Sequence, residues 1–146
     1  MALTWIHEAN AAWDDRKATI IAAAGPGAFD SRYAQQARGA LVPGEWWRVE
    51  QAGRTVAYGW LDVNWGDAEI LLAVDPEHRR AGVGTFVLRH LEAEAAHRGL
   101  RYLTNVVRAT HPHADEVRGW LERRGFTASE DGRLLRAVVA NDATAG

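Results

Sequence analysis

The chain has no cysteine among its 146 residues. That absence excludes disulfides, a thiolate nucleophile, and thiolate-ligated zinc or iron–sulfur centres. Any covalent acyl intermediate would need another nucleophile. No apolar run approaches the roughly 18 residues of a membrane span, and no charged segment followed by a long apolar one opens the chain. The expected location is cytoplasmic, with no membrane partner. Charge of one sign is not in excess either: 17 Lys and Arg face 19 Asp and Glu, for a net charge of −2. The chain lacks the basic field that non-specific nucleic-acid binding requires, so nucleic acid is not an expected partner. There is no internal repeat and no low-complexity tract, and no residues are assigned to a metal.

Apolar residues make up 47% of the chain and charged residues 25%. This is the balance of a folded globular protein, and the length suits one core rather than two. A single domain is expected over residues 1–140, with a flexible tail over 141–146. Tryptophan is abundant, with seven residues, and Trp46, Trp47, Trp60 and Trp65 crowd into one stretch.

Leu3 to His7 reads as a short strand, and Asn10 as the N-cap of a helix through Ala24, with Trp13, Lys17, Ile20 and Ile21 at near-helical spacing. Gly25-Pro26-Gly27 stops that helix, and a second is expected from about Asp30 to Arg38. From Glu45 the period becomes that of strands: Trp46 to Gln51, Thr55 to Val63, and Ala68 to Val74, joined by turns as an antiparallel meander. The last of these is apolar without a break from Ile70 to Val74, which predicts a central strand buried on both faces. Thr85 to His97 is an amphipathic helix with Gly99 beyond its end. A strand from Leu100 to Arg108 then makes a parallel pair with residues 68–74. A helix over Ala114 to Arg124 and a hairpin around Asp131-Gly132 complete the chain.

Between the central strand and its helix lies Arg79-Arg80-Ala81-Gly82-Val83-Gly84-Thr85. The first turn of a helix has backbone N–H groups without intrahelical partners and carries partial positive charge. Gly82 and Gly84 let the main chain approach a ligand closely, and Arg79 and Arg80 add charge, so the junction is suited to holding an anion. It also sits at the carboxyl end of a parallel strand, where ligands bind in such units.

The order strand, helix, helix, three-strand meander, Gly-loop helix, strand, helix, hairpin resembles the GNAT superfamily of N-acetyltransferases. The family's Arg/Gln-x-x-Gly-x-Gly/Ala loop matches Arg79, Gly82 and Gly84, preceded by Ala73-Val74-Asp75-Pro76, and Gly125-Phe126 matches its second landmark. The resemblance implies an α/β (α+β) fold with a mixed, mostly antiparallel twisted sheet, a central parallel pair, and about four flanking helices. It implies acetyl-CoA as cosubstrate. The backbone of Arg80 to Thr85, hence Arg80, Ala81, Gly82, Val83, Gly84 and Thr85, would bind the pyrophosphate with Arg79 alongside. Ala73 and Val74 would pair with the pantetheine arm, and a backbone N–H near Val74 would serve as an oxyanion hole. The expected reaction is transfer of acetyl to a primary amine of a small molecule or peptide, by direct attack in a ternary complex. A homodimer is compatible with it.

An alkyl amine with pKa ~10.4 is mostly protonated at neutral pH, and exposing its lone pair costs roughly 4 to 5 kcal/mol. A general base is therefore expected. Glu69 is the first candidate, set against its reading as a solvated strand-end carboxylate; Asp62, Asp67, His111 and His113 rank below it. The family's tyrosine, four residues before the Gly of Gly-Phe, is here Leu121, and the asparagine seven residues earlier is Ala114. Three alternatives stay open: the CoA thiolate leaves unassisted, His111 or His113 serves as acid, or the protein binds acyl-CoA without turning it over. Tyr58 and Trp60 share one side of a strand and could form an aromatic wall for the acceptor, against their reading as core residues.

Overall fold

The structure is a computed structural model that describes residues 2–23, 37–42, 44–79 and 82–138. Most of the segment expected to form the second helix, together with Arg80, Ala81 and the C-terminal tail, lies outside the described residues.

The strands are β1 (Thr4–Glu8), β2 (Glu45–Gln51), β3 (Arg54–Asn64), β4 (Asp67–Val74), β5 (Tyr102–Asn105), β6 (Thr127–Ala128) and β7 (Leu134–Ala137). They form one sheet in the order β1-β2-β3-β4-β5-β7-β6. Every neighbouring pair is antiparallel except β4 and β5. The helices are α1 (Asp15–Ala22), α2 (Val83–His97) and α3 (Ala114–Glu122) among the described residues, with a 3-10 turn at Pro76–His78. The expected mixed sheet and its central parallel pair are present, and β4 occupies the middle of the sheet. Among the described residues no helix is long and apolar enough to cross a membrane.

Side-chain alternation along the meander divides the core between the two sheet faces. Trp46 turns to the α1 face and stacks on Trp60, directly opposite it in the register, with ring centroids 4.2 Å apart and planes within 3°. Tyr58 meets the same Trp46 edge-on. Trp47 turns to the other face, where it stacks on Trp5 and joins the core under α2 with Val87, Leu88 and Leu91. On the α1 face Lys17 is buried, held by Glu8 at 2.7 Å and lying 4.9 Å from the Tyr58 ring. The buried hydroxyl of Tyr58 is pushed up from its ordinary range by burial.

Three differences from the sequence reading have a clear physical cause. The first helix begins at Asp15, because Asp14 rather than Asn10 caps it: the Asp14 carboxylate accepts from the Lys17 N–H at 2.7 Å. Asn10 itself is left-handed, with φ of 54°, and Ala12 bridges to Leu41 as extended chain. The strand expected over residues 100–108 is only Tyr102–Asn105. The terminal hairpin closes with a bond from the Ser129 N–H to the Arg133 carbonyl. Its loop is therefore Glu130-Asp131-Gly132, and Asp131 accepts from the Arg133 N–H at 3.0 Å, so the loop is one residue longer than an Asp-Gly two-residue turn.

Candidate active site

The cleft begins where β5 leaves β4. The two strands pair in parallel at Asp67 with Tyr102, Ala68 with Leu103, and Glu69 with Thr104. At the next position the Asn105 side chain takes over, its Nδ2 donating to the Ile70 carbonyl at 2.8 Å. With that carbonyl occupied by a side chain, the backbone ladder stops, and the two chains diverge.

Leu71–Val74 form one wall of the resulting cleft, and Val106, Val107 and Arg108 the other. The cleft encloses about 660 Å³ and runs to the N-terminus of α2, with Gly82, Gly84, Thr85 and Arg79 at that end. His111, His113, Val117, Trp120, Leu121 and Arg124 close the side formed by α3 and its approach loop.

The register of β3 and β4 fixes which backbone groups of the first wall face the cleft. Asp75 donates its N–H to the Val56 carbonyl at 2.8 Å. In an antiparallel ladder hydrogen-bonded and non-bonded residues alternate, so Ala73, paired with Tyr58, also spends its backbone groups on β3. Leu72 and Val74 point theirs toward the departed β5. The N–H of Val74 therefore faces the cleft, whereas Ala73 lines it without offering a backbone donor.

At the far end Asp75 anchors the turn into the Gly loop. Its carboxylate is 4% exposed, accepts from the Glu77 N–H at 2.9 Å, and pairs with Arg16 of α1. The Glu77 hydrogen bond chiefly holds it below the usual carboxylate range, against the opposing effect of burial, and Arg16 adds to the lowering. Arg16 also donates to the Thr55 carbonyl at 2.7 Å. Arg79, exposed at the mouth, donates to the Ala23 carbonyl just beyond α1 at 3.3 Å.

Gly82 caps α2 in the left-handed region, with φ of 81°, and a Cβ placed there would meet nothing within 4 Å. Glycine is thus required there by backbone conformation, while the space over it is open to a ligand. At Gly84 the reason is contact: a Cβ would lie 3.2 Å from Cζ2 of Trp120.

The two histidines sit in different surroundings. The His111 Nδ1 accepts from the His113 N–H at 2.9 Å, which leaves the neutral ring's proton on Nε2. Burial chiefly lowers the His111 pKa, with His113 and Arg79 adding to it. His113 is more exposed and its Nδ1 lies 3.6 Å from Glu116.

Of the residues singled out from sequence, Ala73, Val74, Arg79, Gly82, Gly84, Thr85, His111 and His113 line this one cleft. Val83 is buried in the core under α2, so only its backbone can face the loop, and Arg80 and Ala81 lie outside the described residues. Glu69 is half-buried in β4, across from Asp62, and is not among the lining residues. Tyr58 and Trp60 are each 1% exposed and packed with Trp46 in the α1-face core; they do not line the cleft.

Sequence reasoning missed Asn105 and Arg124. Arg124 lines the cleft beside Thr85, and its only sequence signal was its place four residues after Trp120. The assembled site offers a strand edge that β5 no longer pairs beyond Glu69, a helix N-terminus flanked by guanidinium groups, and imidazoles at one side. Such a set can hold an extended, amide-bearing ligand that ends in phosphates.

The acetyltransferase (GNAT) family model matches residues 9–126. No curated protein sequence matches the chain at a significant level. Among solved structures, the ribosomal-protein-S18-alanine N-acetyltransferase from Escherichia coli is 21% identical with a TM-score of 0.64, covering 94% of each chain. The IAA acetyltransferase from Bacillus cereus ATCC 14579 is 16% identical with a TM-score of 0.68, covering 93% of this chain and 99% of that one. N-acetylglutamate synthase from Neisseria gonorrhoeae, complexed with coenzyme A and L-arginine, is 21% identical with a TM-score of 0.55 over 64% of this chain and 24% of its own. At these identities the structural matches carry the fold alone.

Proposed function

The chain belongs to the GNAT family of acetyltransferases, and from that premise we propose that it transfers the acetyl group of acetyl-CoA to a primary amine of a small molecule or peptide. The observation that carries this reading is the fork between β4 and β5. It turns the backbone groups of Leu72 and Val74 that point away from β3 toward the cleft, with no β5 partner among the described residues, and leads directly to the open, left-handed Gly82 cap of α2. The residues present fit coenzyme A. The space over Gly82 is where a side chain would otherwise stand, and the first-turn N–H groups of α2 are free to meet a diphosphate. Bound acetyl-CoA would supply an activated acyl group.

This chain's own residues would do the rest. The strand edge at Leu72 and Val74 would hold an amide-bearing arm in strand fashion, and the Val74 N–H would stabilise charge developing on a thioester oxygen. Glu69 is the proposed base for the amine. Because it is not among the cleft-lining residues, its action would run through water. Leu121, where the family often places a tyrosine, is 3% exposed and has no proton to give. His111 is poised as a hydrogen-bond donor through Nε2 rather than as an acid, since its Nδ1 is already engaged. His113 enters that bond only through its backbone N–H, so its ring lies outside it, beside Glu116 at 3.6 Å. A cytoplasmic location is part of this proposal.

Calorimetry with acetyl-CoA tests the cofactor, and amine-dependent release of CoA thiol over a broad amine panel tests the chemistry. Binding with release establishes the transferase. Absence of binding at millimolar acetyl-CoA sinks the proposal altogether. The replacement of the tyrosine by buried Leu121 favours a second reading, a non-catalytic acyl-CoA-binding module, which predicts tight binding with no release from any amine.

A further inference from the structure

We infer that Arg124 is a ligand for the diphosphate of the acyl-CoA cosubstrate, held in place by Trp120 and Thr85. This rests on the acetyl-CoA reading and names a residue that the Gly-loop motif does not contain.

Arg124 follows the end of α3, and the fold brings it against the first turn of α2. Its Nη2 donates to Thr85 Oγ1 at 3.1 Å and its Nη1 to the Trp120 carbonyl at 3.0 Å. The guanidinium carbon lies 3.9 Å from the centre of the Trp120 ring. Trp120 is itself seated against Gly84, the position in α2 where a Cβ would crowd it at 3.2 Å. The small residue in the loop thus admits the indole, and the indole fixes the plane of the guanidinium. A stacked, twice-anchored arginine loses little further freedom on meeting a ligand, and its remaining N–H donors are available to one.

Among the described residues no carboxylate lies within ion-pair distance of Arg124, and the influences on its titration are burial and the neighbouring Arg123, both of which disfavour the charged form. It also stands at the positive end of α2, where a cation is unfavourable and an anion favourable. A fixed cation beside a helix N-terminus in a cleft makes electrostatic sense when an anion lies between the two. Thr85 is in the first turn of α2, so the group bonded to it belongs with the phosphates that meet that turn, the diphosphate, rather than with the separate 3′-phosphate on the ribose.

The test is calorimetry with acetyl-CoA and with acetyl-dephospho-CoA, which lacks the 3′-phosphate, on the wild-type chain and on R124Q, R124K and T85V. R124Q is expected to bind both ligands roughly 10- to 100-fold more weakly, by the same factor for each. R124K, which keeps the charge and loses the fork, should recover only part of the loss, and T85V should weaken binding through the lost anchor. In steady-state assays the KM for acetyl-CoA rises while kcat holds, the pattern of lost uniform binding. Unchanged affinity in R124Q overturns the inference, and so does a loss confined to acetyl-CoA, which would move Arg124 to the 3′-phosphate. If R124Q does not fold, R124K and T85V decide by the same comparison. Failure of the wild-type chain to bind either ligand sinks the acetyl-CoA reading itself, whereas wild-type binding with an indifferent R124Q sinks only the role of Arg124.

Discussion

Asn105 Nδ2 donates to the Ile70 carbonyl at 2.8 Å, and that bond marks the point where β5 parts from β4. A parallel ladder would put a backbone N–H of β5 on this carbonyl. A side chain in its place satisfies the acceptor while turning the strand's own backbone away, so the fork opens without leaving the Ile70 carbonyl unpaired.

Replacing Asn105 with leucine should therefore destabilise the protein by about 1 to 3 kcal/mol, the range for leaving a buried acceptor unpaired. Urea denaturation reads this directly. N105A should cost less, because the smaller side chain lets water reach the carbonyl from the cleft. A stability unchanged in N105L would show that the bond contributes nothing to holding the fork.

Gly82→Asp should abolish acetyl-CoA binding. The position has φ of 81° and open space above it, so the aspartate would strain the backbone and place negative charge in the anion cradle. Gly82→Ala separates the two effects: it carries the strain without the charge and should weaken binding less. Calorimetry on both variants checks this, and an affinity for acetyl-CoA unchanged in G82D would remove the loop from the site.

Much of this arrangement was legible in the sequence, because period and punctuation encode it. The unbroken apolar run of Ile70 to Val74 announced a central strand, and the strand period put Tyr58 and Trp60 on one side of the sheet, where both meet Trp46. The features that escaped depend on tertiary contact. Asn10 and Asp14 are both good N-cap residues, and only the bridge between Ala12 and Leu41, a contact with a distant segment, decides for Asp14. The run from Leu100 to Arg108 looks strand-like throughout, yet Asn105 ends it by bonding across to Ile70. Arg124 could not be seen as part of the cleft until Trp120 and Gly84 were known to touch.

Glu69→Gln should lower kcat by roughly 10²- to 10⁴-fold, the usual contribution of a general base, while leaving acetyl-CoA affinity as it was. Steady-state kinetics with a saturating amine, alongside calorimetry, separates the two quantities. An unchanged kcat would return Glu69 to the role of a strand-end carboxylate paired across from Asp62.

His111 should make stability depend on pH in a defined window. Burial, His113 and Arg79 hold its pKa below the ordinary value of 6.5, so the folded protein favours the neutral ring and the unfolded chain takes up the proton more readily. Between the depressed folded value and 6.5 the unfolded state binds more protons, and stability therefore rises with pH and falls on acidification through that window. Protonation would also place a hydrogen on Nδ1, where it would meet the His113 N–H that Nδ1 now accepts, which works in the same direction. H111Q removes the titration. Urea unfolding at pH 5.5 and 7.5 should accordingly show a larger loss of stability on acidification in the wild-type chain than in H111Q, and equal losses would mean that His111 titrates alike in the folded and unfolded states.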